Sequence, residues 1–444
     1  MQFKKLSLSP PQILVIGFAL IIFLGALLLM LPISSATGET LPFVDALFTA
    51  TSATCVTGLI VVDTGTYFST FGQVVIILLI QVGGLGFMTV ATLFSLVLKR
   101  KISLKDRLLL QEAMNQNSVE GIVRLIRKVL LYSLIIESSA ALLFTIRWAF
   151  DMPFGRAFYF GIWHAVSMFN NAGFDLFGEY QSLTNYVGDP IVNFVAMFLI
   201  VSGGLGFIVL SDVFEFWKRR KLSLHSKVVL SMTSALIVVG AIVIFIFEFT
   251  NSRTLGSLGW SGKIWGTFFQ SVTPRTAGAN TLDIGALRQA TQFFMIILMF
   301  IGASPGSTGG GIKTTTLTIL VGAVISMIRG RTDLVLFRYR MAEERIFKAL
   351  TITFLALFLV IAVAMVLSTT EDASFLSILF ETTSAFGTVG LSMGLTGKLT
   401  VIGKIIISFT MFAGRLGLLT LAYALGPKKG KELYRHPEGK IIIG

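Results

Sequence analysis

"FVDALFTATSATCVTGL", Phe43–Leu59, is a short amphipathic run that ends in small residues and a glycine, set between two long apolar runs. A helix needs ~20 residues to cross a bilayer core. The dozen or so here, followed by a loop, are too few, and the stretch reads as a re-entrant segment. The pattern returns three times. Ile13–Leu31 and Phe71–Leu98 flank the first copy. Val129–Phe150 and Ile191–Phe216 flank "FGIWHAVSMFNNAGF" (Phe160–Phe174). Val228–Phe249 and Thr291–Ile328 flank "IWGTFFQSVTPRTAGA" (Ile264–Ala279). Ala349–Leu367 and Val401–Leu425 flank "FLSILFETTSAFGTVGL" (Phe375–Leu391).

Self-similarity of this kind marks a repeated structural unit. The glycines that end the short runs are Gly58, Gly173, Gly278 and Gly390. An aromatic stands four residues before a serine in three copies, Phe48/Ser52, Trp163/Ser167 and Phe380/Ser384; in the third copy Ser271 is displaced by one. Each following helix is expected to begin alike, with "GGLGF" at Gly83–Phe87 and Gly203–Phe207 and "GRLGL" at Gly414–Leu418. Glycine is common in membrane helices for close packing, which explains any one of these but not their shared register. The pattern predicts an all-α polytopic membrane protein. Four pseudo-repeats of helix, pore loop and helix, with eight spanning helices, would surround one central pore. Pore repeats are expected at 1–98, 129–217, 228–328 and 349–425, cytoplasmic loops at 99–128, 218–227 and 329–348, and a cytoplasmic tail at 426–444.

Composition agrees. Apolar residues make up 54% and charged residues 13% of 444 residues, against about a quarter charged in soluble proteins. The net charge of +13 is compatible with nucleic acid until its distribution is examined. Of 36 Lys and Arg, 26 lie at the N-terminus (Lys4, Lys5) and in Lys99–Lys128, Lys218–Lys227, Arg329–Lys348 and Lys428–Lys440. Alternate segments are therefore basic, which is the positive-inside pattern. It predicts cytoplasmic termini and a bilayer, not nucleic acid, as the basic partner. The other loops carry Glu39, Asp45, Asp63, Asp151, Asp175, Glu179, Asp189, Glu371 and Asp372. An outward acidic face raises the local cation concentration.

A single cysteine, Cys55, allows no internal disulfide, and three histidines are too scattered for a metal cluster. "GSTGGGIKT" (Gly306–Thr314) fails the phosphate-loop spacing because Ile312 separates Gly311 from Lys313. No nucleotide site is expected in this chain. An enzyme would need a nucleophile–base pair or a metal cluster, and neither is visible.

Irregular backbone at membrane depth is tolerated where it is buried in protein or lines a watery cavity. Four re-entrant loops meeting on one axis meet that condition. Their carbonyls could replace the hydration shell of a cation, and glycine lets successive carbonyls aim at one line. The expected donors are Cys55, Val56, Thr57 and Gly58; Asn170, Asn171, Ala172 and Gly173; Arg275, Thr276, Ala277 and Gly278; Gly387, Thr388, Val389 and Gly390. Glycine in all four quarters favours potassium as the transported ion. A sodium-selective or nonselective transporter is the near alternative. An alternating-access carrier with inverted repeats is a different class, but here all four repeats run in the same sense.

In the third copy "GASPGSTGGGIK" breaks the helix with Gly302, Ala303, Ser304, Pro305, Gly306, Ser307, Thr308, Gly309, Gly310 and Gly311 before Lys313. More breakers than a kink requires suggest a flexible loop under the filter, with Lys313 near the inner mouth. Arg415 replaces the second glycine of "GGLG". A charge within a span faces a cavity or a partner, so Arg415 is expected to join the loop in one constriction or to clip helices together, or to do both in turn. Arg275, also within the membrane, is expected to pair with Glu381. Glu137, His164 and Glu248 read as structural groups.

The motifs "TCVTGL", "NNAGF", "TPRTAGA" and "GTVGL" resemble those of the Trk/Ktr/HKT superfamily of potassium transporters. "SPPQILVIGF", "LPIS" and "QVGGLGFMT" are most similar to its Ktr-type membrane subunits, and Ala279 stands where the third motif often has Phe. Eight spans without an additional N-terminal pair agree with that branch. The resemblance implies a plasma-membrane homodimer with one pore per subunit. It also implies a gate at the 302–311 loop and a cytosolic ring of RCK/KTN-type subunits that bind ATP or ADP, and it leaves sodium open as an activator. Lys99–Lys128 is the expected ring contact, and "YRHPEGKIIIG" (Tyr434–Gly444) is expected in the dimer interface.

Overall fold

The structure is a computed structural model that describes residues 9–86, 88–90, 92, 104–113, 121–426, 437 and 442. It is built from four units of a long helix, a short buried helix and a second, broken helix. The first unit comprises α1 (Pro10–Leu29), α2 (Phe43–Thr54) and α3 (Thr70–Leu85). A separate helix, α4 (Leu104–Ala113), lies against α1. The second unit comprises α5 (Ile122–Trp148), α6 (Phe154–Phe169), α7 (Pro190–Leu205) and α8 (Phe207–Arg219). The third comprises α9 (Leu224–Glu248), α10 (Trp260–Val272), α11 (Gln289–Phe300) and α12 (Thr314–Ile328). A small hairpin, β1 (Val335–Leu336) with β2 (Tyr339–Arg340), precedes the fourth unit of α13 (Glu343–Thr370), α14 (Phe375–Gly387), α15 (Val401–Leu416) and α16 (Leu418–Leu425).

Helices α1, α5, α9 and α13, of 20 to 28 residues, are each long and apolar enough to cross a membrane. Large apolar side chains on their outer faces stay exposed in the isolated chain, as with Leu134, Leu142, Phe354 and Phe358. In water such a surface would be costly; against lipid it is not. The short helices are the opposite case. Phe48–Leu59, Ser167–Phe174 and Phe269–Ala279 are buried without interruption.

The second apolar run of each unit differs from the expectation. "GGLG" and "GRLG" do not open helices; they end them. Gly86, Gly206 and Gly417 have φ of 82°, 92° and 83° and stop α3, α7 and α15. That backbone region strains any residue with a Cβ. The axis then turns by 106° between α7 and α8 and by 96° between α15 and α16. Counting each bent pair as one span gives six spans by length and composition. The other two second elements are α3 with the helical turn at 88–90, and α11 with α12, which the 301–313 segment separates. The glycine that opens each motif has another task. A methyl on Gly83, Gly203 or Gly414 would stand 1.9 Å from the carbonyl oxygen of Thr54, Phe169 or Phe386. Each second helix is thereby seated on the C-terminal end of its own unit's short helix.

Acids fix the opposite ends of these helices. Asp189 accepts from Ile191 and Val192 N–H at 3.0 Å at the start of α7. Glu248, at the end of α9, accepts from Arg288 N–H at 2.9 Å and from the Thr291 hydroxyl at the start of α11. Glu371, at the end of α13, does the same for Thr400 before α15. A carboxylate there satisfies orphan N–H groups and opposes the positive end of the helix.

A candidate ion pathway

The four short helices point their C-terminal ends at one another. Beyond each, the chain follows the same course. A residue with left-handed backbone (Val56, Asn171, Thr276, Thr388; φ 58°, 61°, 69°, 49°) stands two before a glycine of positive φ (Gly58, Gly173, Gly278, Gly390; 92°, 68°, 76°, 92°). Non-glycine residues adopt that region rarely, and their repetition fourfold marks a constrained site. The glycines form a closed ring in chain order. A methyl on Gly58 would meet the Ala172 carbonyl oxygen at 2.2 Å; on Gly173, that of Ala277 at 2.4 Å; on Gly278, that of Val389 at 2.4 Å; on Gly390, that of Thr57 at 2.1 Å. Each glycine thus admits the carbonyl of the next quarter, and the fourth closes on the first.

Among the described residues, no N–H or side-chain donor reaches the carbonyls of Val56, Thr57, Asn171, Ala172, Thr276, Ala277, Thr388 or Val389. Native interiors satisfy nearly all buried carbonyls. Unpaired oxygens gathered in four equivalent turns are therefore available to an outside partner, and a cation suits an all-oxygen site.

Hydroxyls behind the ring hold the turns. Ser52 and Ser384 each accept from the glycine N–H six residues on, at 3.1 Å. Ser167 donates to Phe174 O at 2.7 Å. In the third quarter Thr273, not the displaced Ser271, performs this task by donating to Ala279 O. Ser271 instead donates to Ile237 O on α9 at 2.7 Å. Nine residues before the ring glycine stand His164, expected from sequence to be structural, and Glu381, expected behind the filter as the partner of Arg275. His164 bonds Phe160 O through Nδ1 at 2.8 Å and accepts from Leu176 N–H through Nε2 at 3.2 Å. Glu381 accepts from the Ser392 hydroxyl at 2.7 Å and from Thr396. Both tie the exit loop to its short helix, and their equal offset from the glycine was the available signal.

The expected Arg275–Glu381 pair does not form. Glu381 is occupied by Ser392 and Thr396, while Arg275 turns the other way and donates to Thr233 O and Oγ1 at 3.4 Å. Glu381 faces the exit loop of its own quarter while Arg275 reaches α9, so the two side chains are taken up by different partners. Glu137 and Glu248 are both hydrogen-bonded: Glu137 accepts from Gln81 and Asn170, and Glu248 from Asn251, Thr254, Arg288 and Thr291.

The Gly302–Gly311 loop lies directly beneath the ring. A methyl on Gly309 would stand 2.0 Å from Thr276 Oγ1, and Gly310 N–H donates to Thr388 Oγ1 at 2.8 Å. Ser304 N–H donates to Gly204 O at 3.0 Å, and Phe207 N–H donates to Gly306 O at 3.0 Å. The Lys313 Nζ folds back to donate to Gly309 O at 2.7 Å and Gly310 O at 3.2 Å. Arg415 donates to Thr308 O in the loop and to Gly83 and Gly84 O at the end of α3. The loop is therefore bonded directly to units two and four, and Arg415 links it to the end of α3 in unit one. Arg415 thus touches the loop and the end of α3 at once. A cavity of about 290 Å³ opens below, lined in part by Phe18, Gly86, Ser307, Lys313, Lys348 and Arg415.

Of the basic Lys99–Lys128 stretch, 104–113 and 121–128 are described, and Lys128 pairs with Glu215. The Tyr434–Gly444 tail lies outside the described residues apart from 437 and 442.

Comparison with known proteins accords with this architecture. A family model named TrkH and described as cation transport protein matches residues 9–427. The chain is 47% identical over 441 residues, 99% of its length and 98% of the relative's, to the Ktr system potassium uptake protein B of Bacillus subtilis. It is 41% identical to the potassium/sodium uptake protein NtpJ of Enterococcus hirae, covering 98% of each chain. The fold is similar to that of the crystal structure of the potassium transporter TrkH from Vibrio parahaemolyticus, with a TM-score of 0.74 at 17% identity over 96% of this chain and 87% of that one. These relatives are named as transport proteins, not enzymes. Four like units around a ring of glycines, a match along nearly the whole chain and full-length relatives lead to one assignment: the chain belongs to the TrkH family of cation transport proteins, multi-pass membrane proteins of all-α fold.

Proposed function

We propose that the chain is the ion-translocating subunit of a Ktr-type potassium uptake system in the plasma membrane, with both termini cytoplasmic. The observation that carries this reading is the ring of Gly58, Gly173, Gly278 and Gly390, with unpaired carbonyls beside each. A dehydrated potassium ion on the axis takes those oxygens in exchange for water. The names of two relatives, one at 47% identity, support potassium. The relative named for both potassium and sodium supports a less selective ring as the second reading.

Below the ring, the Gly302–Gly311 loop acts as the gate and Arg415 as its latch. Opening requires Arg415 to release the carbonyls of Thr308, Gly83 and Gly84. The force comes from outside this chain, from a cytosolic nucleotide-binding ring of RCK/KTN type that docks on the basic loops of a homodimer. The Ktr system name of the relatives supports such a partner.

The test is potassium against sodium flux in liposomes for the native chain and Gly58→Ser, together with thermal stabilisation by each ion. A Ser side chain at 58 would begin 2.2 Å from Ala172 O, so the quarter must shift. Expected are potassium-selective flux or stabilisation in the native chain and loss of that preference in the variant. Equal response of the native chain to both ions would reject the potassium reading.

A further inference from the structure

Three residues before each ring glycine stands the residue that leads from the short helix into the ring turn. It is Cys55, Asn170, Arg275 and Gly387 in the four quarters. Three of these have no acid beside them among the described hydrogen bonds: Cys55 is buried, Arg275 reaches only Thr233, and Gly387 has no side chain. The second quarter differs. Asn170 Nδ2 donates to Gln81 Oε1 on α3 at 2.7 Å, to Val166 O at 2.9 Å and to Glu137 Oε1 on α5 at 3.3 Å. Gln81 Nε2 donates in turn to both oxygens of Glu137, at 3.3 and 3.4 Å. The three side chains close a triangle. Gly84 leaves room for it, because a methyl there would stand 2.0 Å from Asn170 Oδ1.

Glu137 is buried, at 8% exposure, among otherwise apolar stretches of α5. An ionisable group within a span is costly and is expected to have a task. Its hydrogen bonds all end on groups that control one dihedral-sensitive point. Asn170 has φ −76° and ψ −1°, the next residue has φ 61°, and Gly173 follows at 68°. A turn of the Asn170 peptide would swing the carbonyls of Asn171 and Ala172 off the axis. On the reading of the ring as an ion filter, we propose that Glu137 is a positioning residue: through Gln81 and Asn170 it fixes the second quarter's carbonyls, and so sets discrimination between potassium and sodium. The ion never touches it. A filter that distinguishes two ions of equal charge depends on how its oxygens are placed, and among the described residues this quarter alone has its leading residue braced by a carboxylate, from the preceding helix α5.

The experiment compares the ratio of potassium to sodium required for half-maximal thermal stabilisation of the purified full-length chain. That readout does not need an open gate. The variants are Glu137→Leu, Gln81→Met, Glu137→Gln and, as the control on the filter itself, Gly173→Ala. Glu137→Leu and Gln81→Met are expected to lower potassium preference by about tenfold each, the scale of one buried hydrogen bond. Their double variant is expected to lose no more than either alone, since both act through Asn170. Glu137→Gln retains an acceptor for both amides and is expected to stay within about threefold of native. Preference unchanged in whichever of Glu137→Leu or Gln81→Met folds would overturn the proposal. So would a Glu137→Gln variant as impaired as Glu137→Leu, or failure of both truncations to fold, which would make the triangle purely structural. If Gly173→Ala also leaves the preference intact, the filter reading itself is at fault. If Gly173→Ala abolishes it while Glu137→Leu does not, only the role of Glu137 falls.

Discussion

The third unit and the other three solve the same problem differently. Units two and four interrupt their second helix at one glycine and resume at once, at Gly206 and Gly417, and unit one stops its second helix at Gly86 in the same way. Unit three interrupts it from Ile301 to Lys313 and fills the gap with a loop that units two and four hold directly and unit one through Arg415. In the ring, by contrast, unit three conforms: Thr276 and Gly278 repeat the backbone of their counterparts. Symmetry is kept where an ion would be surrounded and abandoned where passage would be controlled. On the proposed function, selection and gating are separable tasks that fall to adjacent layers of one molecule.

The largest expected effect is on the symmetric layer. Gly278→Ala would place a methyl 2.4 Å from Val389 O and 3.2 Å from Gly390 Cα. Neither is the end of a flexible side chain, so the ring must distort, and potassium uptake should fall by at least about a hundredfold, the scale of an ångström's misplacement in a site. Gly38→Ala is the matching control. It shares the left-handed backbone, with φ 77°, but a methyl there meets nothing within 4 Å. Uptake by the control should stay within about twofold of native, its cost confined to backbone strain of ~1 kcal/mol. Equal losses from both would mean that the ring tolerates no strain anywhere and is not special as a ring.

A smaller and opposite effect is expected from the asymmetric layer. Arg415→Gln removes the fork that joins Thr308 O to Gly83 and Gly84 O. Glutamine is too short and has too few donors to span them. Potassium flux through the chain alone should rise about tenfold, as the latch loses charged hydrogen bonds, with the potassium-to-sodium ratio changed by less than about twofold. A changed ratio with unchanged flux would reverse the two layers' roles.

How much of this was readable from residues alone follows from the kind of signal each part leaves. The four short helices and their glycines were legible because amphipathic runs too short to span stand out between apolar ones. The 302–311 loop was legible because a proline and five glycines crowd one stretch. The breaks at Gly86, Gly206 and Gly417 were not, because hydropathy stays high on both sides and a single glycine in a membrane helix most often packs. Thr273 replaced Ser271 as the turn's anchor because "TPRTAG" adds length before the glycine, and a one-residue shift along a helix changes the face by ~100°. Arg275 was assigned to Glu381 by charge alone. Charge says that a buried group needs partners, not where the helix points it, and here carbonyl and hydroxyl oxygens of Thr233 take the place of the acid.

The least effect is expected where the chain leaves the second quarter. Asp175, two residues beyond Gly173, is half-buried and accepts from Phe177 N–H at 3.0 Å. Burial pushes its carboxyl up to about 7, and the nearby Asp63 carboxylate adds to the rise against the Phe177 hydrogen bond. Asp63 is itself engaged by Thr66 and by Tyr180 N–H at 2.8 Å. A raised carboxyl keeps its proton in the folded chain after an unfolded one, near pH 4, has lost it. Stability should therefore fall from about pH 4 to about pH 7 and level off above, and Asp175→Asn should remove that slope. Function should move the other way. Between pH 6 and 8 the side chain gains a negative charge at the outer approach to the ring, which concentrates cations. Half-saturation for external potassium should drop about twofold to threefold over that interval, less at high ionic strength, and Asp175→Asn should abolish the change while leaving the potassium-to-sodium ratio intact. A shift in that ratio would show that the approach and the ring are one site, and the separation of layers argued above would then end at Gly173 instead of extending outward from it.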